Sequence, residues 1–130
     1  MKYTSFEDLP IWQKARELAK FVFDTTSEGA FNKDFRFRDQ KRAAAGSVSD
    51  NIAEGYERSG NKEFVQFLYI AKGSCGETRS QSYRALDYKY IIQETFEELK
   101  QKTTEISSEI ANFIKHLKNS GLKGYKYINQ

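Results

Sequence analysis

One histidine and one cysteine are all that this 130-residue chain offers for acid–base or nucleophilic chemistry near neutral pH. His116 falls between Lys115 and Lys118 on a lysine-dominated helix face, which reads as a solvated imidazole. Cys75 follows Ala71 by four residues and precedes Thr78 by three, so it belongs to an apolar stripe, whereas a nucleophilic thiol needs partial exposure. Glu54, Glu63 and Glu77 have the chemistry of acid–base groups or metal ligands. No histidine stands near to complete a metal site, and the Glu-x-x-His pair of di-iron bundles is missing from the sequence. Structural carboxylates bonded to arginine or helix ends are the favoured reading. Gly73-Ser74-Cys75-Gly76 lacks the preceding strand that a phosphate loop or a nucleophile elbow requires. The expectation is a protein that is not an enzyme, with no catalytic residues, no metal and no cofactor.

Charge offers a second kind of chemistry. The net charge is only +3, but its distribution is uneven. Between Lys33 and Arg42 five basic residues (Lys33, Arg36, Arg38, Lys41, Arg42) face Asp34 and Asp39, and beyond Glu109 lysines occur without acids. Solvated helix faces commonly look like this; an acidic partner is the sharper reading. Arg36, Arg38, Lys41 and Arg42 are the candidate nucleic-acid contacts. Lys72 and Arg79, seven apart, extend the basic surface if their helices are neighbours.

Helices must position these groups. Pro10 marks a helix start, with Asp8 before it as a candidate cap, and Ile11, Ala15, Leu18 and Val22 form a core stripe. Trp12, Ala19 and Phe23 make a second stripe, wider than one bundle requires, and are the candidate oligomer interface. Ser27 to Lys33 reads as a loop. In the next helix Phe37, Lys41, Ala44, Val48, Ile52 and Gly55 align, with Lys41 expected to lay its methylenes on the core and extend its ammonium outward. Beside them Gln40, Ser47, Asn51, Glu54 and Arg58 form a polar seam, read as structural.

Ser59-Gly60-Asn61 supplies a turn and cap, after which Phe64, Leu68, Ala71, Cys75, Thr78, Ser82 and Ala85 repeat at four and three. Small residues at its centre, Gly73 and Gly76 among them, predict close helix approach. In the last helix Phe96, Leu99, Thr103, Ile106, Ile110, Phe113 and Leu117 repeat until Asn119-Ser120-Gly121. The spacing predicts helices over about 9–26, 34–58, 61–88 and 93–119, with a flexible tail over 120–130. Short links then force an all-α, antiparallel up-down-up-down four-helix bundle, one domain over 1–130.

Composition agrees: 38% hydrophobic and 30% charged residues suit a globular chain with a polar surface. A single cysteine excludes an internal disulfide and fits a reducing compartment. With no signal region and no membrane-length apolar run, a cytoplasmic location is expected.

Three motifs occur in order: Asp8-Leu9-Pro10-Ile11-Trp12-Gln13-Lys14-Ala15, Asn51-Ile52-Ala53-Glu54-Gly55, and Glu63-Phe64-Val65-Gln66-Phe67-Leu68-Tyr69-Ile70-Ala71-Lys72-Gly73-Ser74. Together they resemble the four-helix bundle proteins of the 23S rRNA intervening-sequence family over residues 5 to 118. The resemblance implies an up-down bundle assembled as a homo-oligomer, most often a homopentamer. The chain departs from that pattern where Lys41 replaces an aliphatic residue, Ala43 a second arginine, and Lys89 a loop glycine. The combined expectation is a non-enzymatic homo-oligomeric binding protein that meets RNA or a nucleic-acid-bound protein through its basic residues. The alternative is a protein-interaction scaffold without a nucleic-acid role.

Overall fold

A computed structural model describes residues 3–58 and 60–120. Among them are five α-helices and no strand: α1 (Pro10–Thr26), α2 (Gly29–Lys33), α3 (Phe35–Glu57), α4 (Asn61–Asp87) and α5 (Gln93–Asn119), preceded by a 3-10 turn at Phe6–Asp8. The four long helices follow the hydrophobic periods of the sequence. The expected flexible tail lies, beyond Ser120, outside the described residues.

Pro10 occupies the first turn of α1, where its missing N–H costs nothing. Asp8 does not cap α1. Its carboxylate accepts from the Thr4 N–H (3.1 Å) and hydroxyl (2.9 Å), closing the 3-10 turn, and these bonds lower its pKa. Fully buried Leu9 is the N-cap residue instead. The expected loop at 27–33 contains α2, too short for a period; fully buried Phe31 pins it, and Gly29 enters it with φ of +56°. Asp34 caps α3 by accepting from the Phe37 N–H, and its second oxygen accepts from the Tyr90 hydroxyl (2.9 Å). Gly60 precedes α4 with no side-chain cap, and Asn61 spends its Nδ2 on the Leu117 carbonyl instead.

Cross-helix contacts fix the directions. Along α3 and α4, Lys41 meets Ser82, Ser47 meets Ser74, and Tyr56 meets Phe64. Along α4 and α5, Phe64 meets Phe113, Cys75 meets Thr103, and Tyr83 meets Phe96. Ascending numbers on one helix pair with descending numbers on the next, so both pairs are antiparallel. Lys14 reaches Glu105 and Glu109 while Phe21 meets Lys102, giving α1 and α5 the same relation. The end of α1 meets the start of α3 through Thr26 and Arg42.

One apolar cluster fills the centre, with Leu18, Val22, Val48, Ile52, Leu68, Leu99 and Ile110 among its buried members. Each such aliphatic side chain contributes about 1.5–3 kcal/mol by leaving water. In α5 the stripe passes through buried Ile114, not Phe113. A step of four from Ile110 keeps closer to the 3.6-residue turn there, leaving Phe113 half-buried against Phe64. Close helix approach occurs at Gly55, where a Cβ would lie 2.7 Å from Phe67 Cβ and 2.8 Å from Phe64 Cδ1. Gly73 and Gly76 face open space, so their small size serves no contact within the described residues. No described helix is long and apolar enough to cross a membrane.

Candidate functional site

The α3 and α4 helices meet through polar and small side chains. Lys41 sits on the core face of α3, fully buried, and its Nζ donates to the Thr78 carbonyl (2.9 Å) and the Ser82 hydroxyl (2.7 Å). The expected outward ammonium is therefore corrected: the side chain crosses to α4 instead of running along the core to solvent, so Lys41 cannot contact a phosphate backbone. Burial pushes its pKa down to about 7, and the positive charge of Arg84 adds to the effect. A buried cation is tolerated here because its proton can leave.

Above Lys41 the two helices part into a groove of about 520 Å³, lined by Gln40, Ala43, Ser47, Ser74, Glu77 and Gln81, with Arg84 at its edge. Two members of the sequence's polar seam, Gln40 and Ser47, stand on the α3 wall. Asn51 Nδ2 donates to the Ser47 carbonyl and hydroxyl (both 2.8 Å), and the Ser74 hydroxyl joins them from α4 (2.9 Å). Further along, Arg58 pairs with Glu54 (3.1 Å) and Glu63 (3.6 Å), all about half exposed. Glu54 is thus a surface carboxylate, not the buried one that would be costly to leave unpaired.

The α4 wall carries a second seam that the sequence reading missed. Ser74, Glu77, Gln81 and Arg84 follow at steps of three, four and three, the same signal as the α3 seam, one position off the core stripe. Gln81 is only 3% exposed; its Nε2 donates to Glu77 (3.3 Å), while its Oε1 is buried with no partner among the described residues. An unsatisfied buried carbonyl costs about 1–3 kcal/mol. A donor supplied from outside the chain would remove that cost once the amide turned toward the groove.

The other candidate residues are dispersed. Arg36 is exposed. Arg38 bonds Asp39 (2.9 Å) and Asn32, and stands over Phe35. Arg42 donates to Thr26 and Ser27 and covers Phe23, on the α1 flank. Arg79 instead reaches Thr104 of α5 (3.5 Å), and half-buried Lys72 lies one heptad before it on α4. Lys72 and Arg79 therefore do not extend the surface of Arg38 and Arg42; the two sets belong to opposite flanks. Of the α1 stripe, Trp12 and Ala19 are half-buried, Trp12 packing edge-on to Phe6 of the 3-10 turn (5.1 Å), and Phe23 is 53% exposed. The chain's own N-terminal turn thus covers part of the expected interface.

Catalytic chemistry has no assembled centre among the described residues. Cys75 is fully buried, its Sγ donating to the Thr103 carbonyl, and burial raises its pKa to about 11, far from thiolate formation. His116 is exposed beside Phe113. No described group of three or more His, Cys, Asp or Glu residues could hold a metal ion.

The fold and the groove define an all-helical bundle whose unusual chemistry is a polar, small-residue seam between two antiparallel helices. The chain belongs to the 23S rRNA-intervening sequence protein family, whose model matches residues 7–112. A similar solved structure is a protein of unknown function from the S23 ribosomal protein family of Bacteroides thetaiotaomicron, with a TM-score of 0.74 at 23% identity. That likeness covers 81% of this chain and 98% of the other, and at this identity it concerns the fold alone. No curated protein sequence matches the chain.

Proposed function

We propose that this protein is a non-enzymatic, homo-oligomeric binding protein whose copies associate over the α3–α4 face. The observation that carries the reading is the open α3–α4 groove lined by small and polar side chains, in whose wall Gln81 is buried with its Oε1 lacking a partner among the described residues. Small residues on a helix exterior let another helix approach closely, and Ala43, Gly73 and Ser80 leave room for one. Charges on this face are of both signs, Glu54 and Glu77 with Arg58 and Arg84, which suits a second copy better than a uniformly charged partner. The family resemblance implies a ring of identical subunits, with five the expected number. A single buried cysteine fits a reducing, cytoplasmic setting.

Tracking of a structured RNA across a broad basic face has weaker support. Lys41 is buried, and Arg42 and Arg79 serve opposite flanks. Light scattering after gel filtration, at tens of micromolar, tests the association. The expected mass is a multiple of the 15.1 kDa chain, five times that for a pentamer. A monomer would overturn the proposal, because specific interfaces burying more than about 1,000 Å² persist at such concentrations.

A further inference from the structure

The end of the bundle formed by α2, the start of α3 and the α4–α5 link has aromatic and cationic side chains interleaved. Phe35 is 64% exposed with the Arg38 guanidinium 4.9 Å from its ring centre, and Phe23 is 53% exposed under Arg42 at 4.4 Å. Tyr88, 52% exposed, packs edge-on against Phe37 (5.8 Å) and Tyr90 (5.7 Å), while Arg84 lies over Phe37 at 4.4 Å. Phe31, Phe37 and Tyr90 stack behind them and hold the exposed rings on a rigid base. The exposed part of the Phe35 and Tyr88 rings gains nothing from folding, so that surface is available to a partner.

Charge at this end carries a small cationic excess once the one internal ion pair is removed. Asp39 is neutralised by Arg38, whereas Asp34 accepts from the Tyr90 hydroxyl and the Phe37 N–H and keeps its charge. Among the described residues Lys33, Arg36, Arg42, Arg84 and Lys89 pair with no carboxylate, against Glu28, Asp34, Asp87 and Glu94, which pair with no cation.

We propose that this end binds a short single-stranded nucleic acid, with bases stacking on Phe35 and Tyr88 and phosphates meeting Arg36, Arg42 and Lys89. Open rings beside guanidinium groups are a sequence-tolerant stacking platform, and bases locked in a duplex cannot reach them. The partner is thus an unpaired strand and not a helix. The inference stands apart from self-association, since each has its own readout.

Fluorescence anisotropy with an unstructured 12-nucleotide strand, as RNA and as DNA, and with the matching duplex tests it in the full chain. Both strands are expected to bind at about 50 mM salt, and the duplex at least tenfold more weakly. A preference for RNA over DNA would place 2′-hydroxyl contacts at the same surface. Phe35→Ala and Tyr88→Ala should each weaken single-strand binding at least fivefold, with helicity by circular dichroism unchanged because both rings are exposed. Arg36→Ala should lower the log–log salt slope by about 1. Absence of single-strand binding, equal affinity for the duplex, or unchanged affinity in both aromatic variants would each overturn the inference.

Discussion

The α1–α5 pair and the α3–α4 pair solve the same packing problem with different residues. On α1 and α5 the buried faces are mainly apolar, Ile11, Leu18 and Val22 with Leu99, Ile106, Ile110 and Ile114, with Thr26 and Thr103 as their buried polar members, and Lys14 ties the outer edge to Glu105 and Glu109. That lysine is held charged by its two carboxylates. On α3 and α4 the buried faces include Ser49, Thr78, Gln81 and Ser82, and Lys41 has no carboxylate among its described partners. An apolar stripe is sufficient to hold a bundle. The polar filling of α3–α4 is more than folding requires, which is why the second pair, not the first, is where a partner is expected.

The largest effect separating the pairs should come from Lys41. Its folded pKa of about 7 lies below the unfolded value near 10.5, so the unfolded chain binds the extra proton between those limits. Stability should therefore rise with pH from about 7 toward 10, by up to about 1.4 kcal/mol per pH unit, and be flat below 7. In Lys41→Met that rise should vanish and stability at pH 7 increase by at least about 2 kcal/mol; urea unfolding of parent and variant at pH 7 and 9 reads both. Lys14→Met on the other pair should change stability far less than Lys41→Met, because its ion pairs stay open to water.

A smaller contrast lies within α3–α4. Gly55→Ala forces a Cβ onto Phe64 and Phe67 and should cost about 1–3 kcal/mol in thermal or urea melts. Smaller still is the link to α5. Lys89 has φ of +62°, the left-handed conformation that glycine adopts freely, which agrees with the glycine the family resemblance places there. Lys89→Gly should stabilise by about 1 kcal/mol, and a loss of stability would show that the Lys89 side chain matters to the link.

Much of the fold was legible in the sequence, and the parts that were not share a cause. The stripes from Ile11 to Val22 and from Phe64 to Ala85 could be read because burial repeats over several turns. A five-residue helix such as α2 completes barely one turn, so Phe31 had no partner by which to declare itself. The direction of the Lys41 side chain depends on Thr78 and Ser82 across the interface, which no periodicity on α3 encodes. Gln81 was legible in principle through its spacing from Ser74, but it lies one position from a core stripe whose apolar period is the stronger signal. Trp12 kept its place on α1 and lost its exposure to Phe6, a contact set by the 3-10 turn.

Whether the α3–α4 face is covered by a second copy can be tested by filling it. Ala43 is exposed in the groove, and a Cβ added at Gly73 would meet nothing within 4 Å. Ala43→Leu with Gly73→Leu should therefore leave the subunit helical and at least as stable, leucine being a better helix former than glycine by about 1 kcal/mol. Sedimentation velocity of this double variant, with circular dichroism as the check on folding, should give a folded 15.1 kDa monomer where the parent assembles. A folded variant that still assembles like the parent would contradict the placement of the interface on α3–α4.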